Sequence, residues 1–577
     1  MRIRGRQKPQ PVEVVAATDA DDERLAGVLV TARVVEPYQL DAARSAQGPG
    51  SLAEKLVAAG TVSEEVIART LADHYGCELL DFRDVEPDPE ALALLTPEQA
   101  RTLRALPLSL DTDAVTVAVV DPAPERAQAV AAVIDRRVVP AVATPRNLDR
   151  ALDSAYRATR DVSSHVQAYE ARDQLRREAA HLETAGSDDA PVVRVVQMII
   201  TQGLRDRASD IHIEPSGDRV RVRYRIDGAL SDVLDLPGSI GPAVVSRVKI
   251  LGGMNIVERR RPQDGQISMD VEGREVDIRV ATTAVVGGEK VVMRLLDKSR
   301  PLFKLEQLGM AHDVAERYSA LIHSPYGMVI CAGPTGGGKT TTLYASLGEL
   351  DSPERNIMTI EDPVEYTFDS INQIQINEQA GITFAGGLKS ILRQDPDIIL
   401  VGEIRDADTA RIAVQSALTG HFVLSSLHAT EAVSALYRLL DMGIESFLIA
   451  SSITAVVAQR LVRRSCTSCL EPYQPTPEER AFLRTFGPDE TEHDLVHGVG
   501  CHLCAHTGFL ERIGVYELLA VTDEVRELIV DHAPQDQMRK VAQHQGMRTL
   551  QEQAVRLVQE GTTTAAEVMR SIYVAGV

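Results

Sequence analysis

The chain has 577 residues, of which 83 are acidic and 61 are basic, so its formal net charge is −22. This acidic balance argues against histone-like or nucleic-acid-coating proteins, which need a broadly basic surface. Hydrophobic residues make up 44% and charged residues 25%, which is usual for globular proteins and argues against disordered or fibrous classes. No apolar run of membrane-spanning length occurs, and the basic N-terminus lacks the apolar core of a secretory signal.

The first predicted element is an internal repeat within a helical domain, residues 20–78. Segment 24–30 resembles segment 51–57, and the likeness continues along both units. Apolar residues at helical spacing predict two short helices in each unit. Two copies are too few for a solenoid, so a small helical domain is expected.

Three segments with different sequence patterns follow before residue 300. Residues 79–155 include a β-branched strand candidate at 115–120, which predicts a small mixed α/β domain. Residues 156–190 predict a helical linker. Residues 191–300 alternate aliphatic residues with arginines, which places the arginines on one face of a sheet. That face is either a solvated surface or a surface that faces an anion.

The strongest motif is a phosphate-binding loop between an apolar strand and a predicted helix. It fits G-x-x-x-x-G-K-[ST] without a mismatch, and this context disfavours a glycine-rich turn with a chance lysine. Its backbone amides would surround phosphate oxygens, Lys339 would reach the β- and γ-phosphates, and the Thr340 hydroxyl would ligate Mg²⁺. The predicted nucleotide-binding residues are Gly333, Pro334, Thr335, Gly336, Gly337, Gly338, Lys339, Thr340 and Thr341.

Carboxylates follow two further predicted strands. Four aliphatic residues lead to Glu403, with Gly402 where many Walker B strands have Asp. Glu403 is therefore the predicted catalytic base, and water is expected where the usual strand-end Mg²⁺ partner would be. Glu361 and Glu365 end the other strand, where they would hold water or Mg²⁺ unless they only cap the next segment.

Two histidines, His421 and His428, flank a short predicted strand. Their odd spacing sends the two side chains to opposite faces, so a shared metal is not expected. One would sense the γ-phosphate while the other faces a neighbouring subunit, and a structural role for either is the alternative.

Four cysteines form two C-x-x-C pairs in a predicted arm, residues 461–510, that is rich in proline and acids between the pairs. Two such pairs complete a tetrahedral thiolate site, which predicts structural zinc, and a redox pair is the alternative. Four protein ligands leave no open catalytic position. The predicted zinc ligands are Cys466, Cys469, Cys501 and Cys504.

Taken in this order, the motifs resemble those of the secretion ATPases of type II secretion and type IV pilus assembly, and the cysteine arm resembles their extension-type members. The resemblance implies an α/β fold in which a PAS-like half, residues 191–300, packs on a RecA-like ATPase half. The latter comprises residues 301–460 and the helical residues 511–577. It also matches Arg279 and Arg294 to the family's arginines that reach the nucleotide. The implied catalytic residues are Glu403, Glu361, Arg279, Arg294 and His428.

The same resemblance implies a homohexameric ATP hydrolase at the cytoplasmic face of the plasma membrane, with ATP, Mg²⁺ and Zn²⁺ as its ligands. Such a motor assembles a pilus or a secretion pseudopilus through an inner-membrane platform protein, without nucleic acid. The main alternative is a nucleotide-gated signalling or scaffold protein with little hydrolysis. A RecA-like DNA translocase is disfavoured by the net charge.

The N-terminal repeat resembles a domain that binds cyclic di-GMP in some members of that group. The matching residues are Arg24, Leu25 and Gln47, whereas the pattern's two early glycines and its second arginine are replaced by Ala26, Ala53 and Ser51. Loss of the glycines would hinder close backbone approach to a dinucleotide. Both cyclic di-GMP binding and a plain docking role therefore remain open for this domain.

Overall fold

The computed structural model describes residues 19–45, 50–82, 85, 87–157, 162–178, 191–297, 303–487 and 495–572. The chain divides into two compact units. One comprises Met1–Ser164 with Cys466–Leu470 and Gly498–Gly508, and the other comprises His165–Ser465, Glu471–His497 and Phe509–Val577. Within the described ranges, every helix is too short or too polar to cross a bilayer.

The first unit begins with four short helices. They are α1 (Asp19–Thr31), α2 (Pro37–Ser45), α3 (Leu52–Ala58) and α4 (Glu64–Tyr75). Ser51 and Ser63 cap α3 and α4 by accepting hydrogen bonds from backbone amides of the first turn. Equivalent apolar residues of the two repeats, such as Leu29 and Leu56, lie in one core. Each repeat unit thus contains two short helices, and Gln47 lies outside the described residues.

A small four-stranded sheet follows in the first unit. Its elements are β1 (Glu78–Leu79), α5 (Pro89–Leu92), α6 (Pro97–Leu103), β2 (Ala105–Leu110), β3 (Ala114–Val119), α7 (Pro124–Ile134), β4 (Arg137–Val142) and α8 (Pro145–Ala155). The strand order is β1-β4-β3-β2, with β2 antiparallel to β3 and the other pairs parallel.

The predicted linker contains helix α9 (Val162–Glu178), and the remainder of that linker up to residue 190 lies outside the described residues. A six-stranded sheet follows. Its elements are α10 (Pro191–Arg205), β5 (Asp210–Ser216), β6 (Arg219–Ile226), β7 (Ala229–Pro237), α11 (Gly241–Leu251), β8 (Gln263–Val271), β9 (Arg274–Val285) and β10 (Gly288–Asp297). The order is β7-β6-β5-β10-β9-β8, and every neighbouring pair is antiparallel.

A seven-stranded sheet dominates the rest of the second unit. Its first elements are α12 (His312–Ile322), β11 (Gly327–Ala332), α13 (Lys339–Leu350), β12 (Ile357–Glu361), β13 (Asn372–Gln375), α14 (Phe384–Ile391), β14 (Ile398–Val401), α15 (Ala407–Leu418) and β15 (Phe422–Leu427). The later elements are α16 (Ala432–Asp441), α17 (Ser446–Ser452), β16 (Ile453–Ser465), β17 (Leu470–Tyr473), α18 (Pro477–Phe486), β18 (Leu495–Gly498), β19 (Phe509–Ala520), α19 (Asp523–Val530), α20 (Gln535–His544), α21 (Leu550–Gln559) and α22 (Ala565–Ser571).

The order of this sheet, β13-β12-β14-β15-β11-β16-β19, sets the position of the site. All neighbouring strands run parallel except β16 and β19. Strands β11, β14 and β15 are buried along their whole length, as expected for parallel strands covered on both faces. Because β14, β15 and β11 are adjacent and parallel, the loops after them meet at one edge.

Two boundaries differ from the sequence predictions. Residues 511–577 are predicted to be helical, yet β19 continues to Ala520 because it pairs with β16 along most of its length. Helix α13 begins at Lys339, within the phosphate-binding motif. The predicted arm is also not one element, because its cysteine segments group with the first unit while Glu471–His497 groups with the second.

Candidate functional site

The phosphate-binding loop joins the buried end of β11 to the first turn of α13. Gly336 and Gly338 have φ of 73° and 85°, values that favour glycine, and Gly338 is the N-cap of α13. The Lys339 Nζ donates to the carbonyl oxygens of Gly333 and Pro334, at 2.9 Å each. The loop thus folds around its own lysine, and its amides stand at a helix N-terminus, where anions bind well.

Gln459 on β16 packs against this loop, and no motif in the sequence marks this residue. Its carbonyl oxygen lies 2.7 Å from where a Cβ on Gly333 would stand, and its Nε2 lies 2.7 Å from the equivalent point on Gly338. The side chain is buried, accepts from the Thr342 hydroxyl at 2.8 Å and donates to the Tyr516 hydroxyl at 3.3 Å. A side chain at Gly333 or at Gly338 would therefore collide with Gln459.

Glu403 and His428 reach the same edge from the neighbouring strands. The two atoms Glu403 Oε2 and His428 Nε2 are 3.5 Å apart, and Arg405 forms an ion pair with the other Glu403 oxygen. Burial lowers the pKa of Lys339, while the negative charge of Glu403 opposes that shift. The predicted lysine, carboxylate and histidine thus come together.

The glycine in place of a Walker B aspartate has a steric reason. The Gly402 amide donates to the Ile360 carbonyl at 2.8 Å, which draws the strand end against β12. A Cβ on Gly402 would lie 3.3 Å from both that carbonyl oxygen and the Glu361 Cα. A side chain at this position would therefore crowd the backbone of the neighbouring strand.

Glu361 lies at the end of β12 in a network of hydrogen bonds. Its side chain is buried, and both carboxylate oxygens accept hydrogen bonds from neighbours. Thr359 Oγ1 donates at 2.5 Å, Gln373 Nε2 at 3.2 Å, and the Tyr344 hydroxyl bonds the second oxygen. These hydrogen bonds hold the Glu361 carboxylate in place at the strand end, and its role in holding water or Mg²⁺ stays a prediction.

The charges of the buried Glu361 carboxylate and of the arginine pair both act on Glu365. Burial and the nearby Glu361 raise the pKa of Glu365, and the positive charges of Arg279 and Arg294 act in the opposite direction. The two arginines are direct neighbours across β9 and β10 and are exposed. The predicted arginine pair therefore acts electrostatically on the acidic end of the seven-stranded sheet.

His421 is separated from this group. It precedes β15, at the end of the strand opposite to His428, and its ring Nδ1 lies 3.0 Å from the Ser416 carbonyl oxygen. Strand β15 pairs in parallel with β11, so only the His428 end lies beside the phosphate loop. Among the two histidines, His428 alone belongs to the candidate site.

The four cysteines form a compact buried cluster. The Sγ atoms are 3.8 Å apart for Cys466 and Cys501, 4.0 Å for Cys469 and Cys504, and 3.8 Å for Cys501 and Cys504. A tetrahedral zinc ion with Zn–S bonds of about 2.3 Å requires sulfur separations of about 3.8 Å. None of the four forms a disulfide, and backbone amides of Gly500 and Gly508 donate to the cluster.

A phosphate loop after a buried parallel strand, with a carboxylate on a nearby strand end, defines a P-loop nucleotide-binding protein of the α/β class. Residues 185–570 match the family model "Type II/IV secretion system protein", and residues 75–162 match the "MshEN domain" model. The second match covers the four-stranded sheet and not most of the helical repeat. The chain belongs to the type II/IV secretion system protein family, and it is an ATP hydrolase.

The relatives include proteins named for type II secretion and for type IV pilus assembly. The type II secretion system protein HxcR of Pseudomonas aeruginosa is 46% identical over 428 residues, covering 73% of this chain and 87% of the relative. The type II secretion system protein E of Xanthomonas campestris is 38% identical over 561 residues, with 95% and 98% covered. The type IV pilus assembly ATPase PilB of Myxococcus xanthus is 36% identical over 561 residues, again with 95% and 98% covered.

Proposed function

We propose that this protein is a cytoplasmic motor that uses ATP hydrolysis to assemble a type IV pilus or a type II secretion pseudopilus. The observation that supports this most is the convergence of Lys339, Glu403 and His428 at one sheet edge, in a chain with near full-length relatives named for secretion and pilus assembly. The motor acts through an inner-membrane platform protein, which holds it at the cytoplasmic face of the plasma membrane. It does not use nucleic acid.

In this proposal the six-stranded sheet is the PAS-like half and the seven-stranded sheet the RecA-like half of each subunit in a homohexamer. Lys339 binds the β- and γ-phosphates, and Glu403 activates the attacking water. His428, beside Glu403, senses the γ-phosphate. Arg279 and Arg294 stabilise negative charge on the phosphates, for which a guanidinium fork is suited.

Two metal ions complete the proposal. The Thr340 hydroxyl fits Mg²⁺, because it lies half-exposed in the first turn of α13, directly after Lys339 of the phosphate loop. When bound, Mg²⁺ neutralises charge on the phosphate oxygens, and water takes the position that Gly402 leaves without a carboxylate. Zn²⁺ fits the cysteine cluster by its sulfur separations and is structural.

A weakly hydrolysing signalling or scaffold protein is the second candidate. The observation that favours it is the ion pair between Arg405 and Glu403, which occupies one oxygen of the proposed base. Arg405 also contacts Asp362 at 3.3 Å. Asp362 can therefore remain the partner of Arg405 when the ion pair with Glu403 breaks. Steady-state turnover separates the two candidates, because a scaffold would bind ATP with negligible phosphate release.

For the helical repeat we propose docking rather than cyclic di-GMP binding. The Arg24 guanidinium, which would face a dinucleotide phosphate, already pairs with Asp21 at 2.6 Å and Asp121 at 2.7 Å. Arg126 pairs with the same Asp21 at 2.8 Å, so these four side chains join the repeat to the four-stranded sheet. A dinucleotide phosphate would have to replace both Asp21 and Asp121 as partners of Arg24.

The test of the motor function is genetic. A strain that lacks the gene is complemented with the wild-type chain or with Lys339→Ala, and scored both for protein released into the medium and for surface pili. The proposal predicts loss of one of these products and rescue by the wild type alone. Unchanged secretion and piliation in the deletion strain would contradict it.

A further inference from the structure

An acidic residue of strand β5 lies among the arginines of the neighbouring strands in the six-stranded sheet. Asp210 stands opposite Arg225 of β6 on one side and Arg294 of β10 on the other. Arg294 in turn stands opposite Arg279 of β9. Residues directly opposite in antiparallel strands share a face, so one carboxylate lies in a row of three guanidinium groups.

Asp210 binds Arg294 through Nε, and the two ends of this contact differ in exposure. Arg294 Nε donates to Asp210 Oδ1 at 3.0 Å, while the Ser209 hydroxyl donates to Oδ2 at 2.8 Å and Arg225 Nε lies 3.8 Å from it. Asp210 is only 6% exposed, whereas the Arg294 side chain is 60% exposed. Among the described residues, the Nε donor has an acceptor, whereas the two terminal Nη groups, which grip a phosphate in a bidentate manner, have none.

We propose that Asp210 is the positioning residue of the arginine pair. It fixes Arg294 through Nε so that the terminal fork points to the nucleotide, and its charge reduces the repulsion among the three guanidinium groups. This inference rests on the proposed role of Arg279 and Arg294 at the nucleotide. The positive charges of both arginines lower the pKa of Glu365 against the effect of burial, so the pair acts on the acidic strand end.

The same strand supplies a matched control. Glu214 lies four residues beyond Asp210 on the same face and is similarly buried, with 16% against 9% of the side chain exposed. Its partners are Arg223 and Lys290, at 2.7 Å each, and neither belongs to the arginine pair. Loss of the Glu214 charge therefore disturbs an equivalent ion pair without touching Arg294.

The test compares ATP turnover of the full chain with Asp210→Asn, Glu214→Gln, Arg294→Ala and the double variant of Asp210 and Arg294. Asp210→Asn is expected to lower kcat about tenfold with little change in KM, because the arginine acts mainly on charge that develops during reaction. Glu214→Gln is expected to stay within about twofold. In the Arg294→Ala background, Asp210→Asn is expected to cause no further loss, because the two residues act as one unit.

The outcomes separate this inference from the proposed function. Normal kcat in Asp210→Asn beside a slow Arg294→Ala, or fully additive losses in the double variant, would overturn the positioning role alone. Normal turnover in Arg294→Ala would overturn the arginine role and the inference with it. If Asp210→Asn does not fold, Asp210→Glu keeps the charge, and its kcat must lie above that of Arg294→Ala for the inference to stand.

Discussion

The main-chain carbonyl oxygen of Gln459 lies 2.7 Å from the position that a Cβ atom on Gly333 would occupy. The phosphate loop therefore lies on a strand that is remote in sequence, and the first glycine of the motif is needed because backbone is already there. The contact is with main chain, so it cannot be relieved by a change of rotamer.

Gly333→Ala should consequently weaken ATP binding while leaving the protein folded. The added methyl group must displace the loop or β16, and displaced amides no longer surround the phosphates. We expect at least about a tenfold loss of ATP affinity, which corresponds to about 1.4 kcal/mol. Calorimetric titration of a non-hydrolysable ATP analogue measures it.

Gly348→Ala is the matched control for this change. Gly348 lies in α13, which starts in the same loop, and a Cβ there meets nothing within 4 Å. Alanine in a helix interior is favoured over glycine by about 1 kcal/mol, so affinity should stay constant and stability should rise slightly. Equal affinities of the two variants would remove the packing explanation.

Glu517 should make stability depend on pH near neutrality. This buried carboxylate accepts from the amide of Ala432 at 2.8 Å and from that of Leu550 at 3.3 Å, at the first residues of α16 and α21. Burial raises its pKa from 4.5 to about 7. Between these values the folded protein keeps a proton that the unfolded chain has released, so the free energy of unfolding falls as pH rises.

Glu517→Gln cannot titrate, so the wild type should lose up to about 3 kcal/mol relative to this variant between pH 4.5 and 7. Thermal midpoints of both proteins at pH 5 and pH 8 measure the difference. Glu567→Gln is the control, because hydrogen bonds from Arg570 and Arg463 hold the pKa of Glu567 below its usual value despite burial. The stabilisation by Glu567 is lost only as pH falls, so Glu567→Gln should show the opposite pH dependence. A stability difference between the wild type and Glu517→Gln that does not change with pH would contradict the prediction.

The cysteine cluster should hold one zinc ion per chain after expression with zinc. Cys469→Ser removes one of four thiolates and should release the metal, whereas Cys77→Ser should retain it because Cys77 lies outside the cluster. Elemental analysis of the purified proteins measures the stoichiometry. A wild-type chain that carries two disulfides and no zinc would support the redox alternative instead.

Cyclic di-GMP should give no binding heat at micromolar concentration with the full chain. The reason is that Arg24 is held by two carboxylates, and the loss of both early glycines leaves Ala26 buried in the helical core. Asp121→Asn, which frees one contact of Arg24, provides the comparison. Saturable binding by the wild type would show that the ion pairs open for the ligand.

Local motifs predicted their own geometry well. The phosphate loop and the strand before Glu403 could be located because glycine spacing and an apolar run determine loop and strand over a few residues. Gln459 could not be located, because it reaches the loop only through the pairing of β16 with β11. Nothing near it in sequence marks a buried glutamine as a support for glycines.

The tertiary contacts of predicted residues could not be inferred from the motifs either. Glu361 ends a strand like Glu403, but Tyr344 of α13 and Gln373 of β13 occupy its oxygens, and neither neighbour can be inferred from the acidic motif. Similarly, the segment after Gly514 carries apolar residues that suit a helix or a strand. Its pairing with β16 selects the strand.

The central claim is that Glu403 is the base of an ATPase motor. The most direct measurement is steady-state phosphate release by Glu403→Gln, with binding of an ATP analogue measured on the same preparation. We expect the variant to bind nucleotide as the wild type does and to lose turnover by at least about a hundredfold, because general-base catalysis contributes at least that much. Turnover equal to that of the wild type would contradict the account.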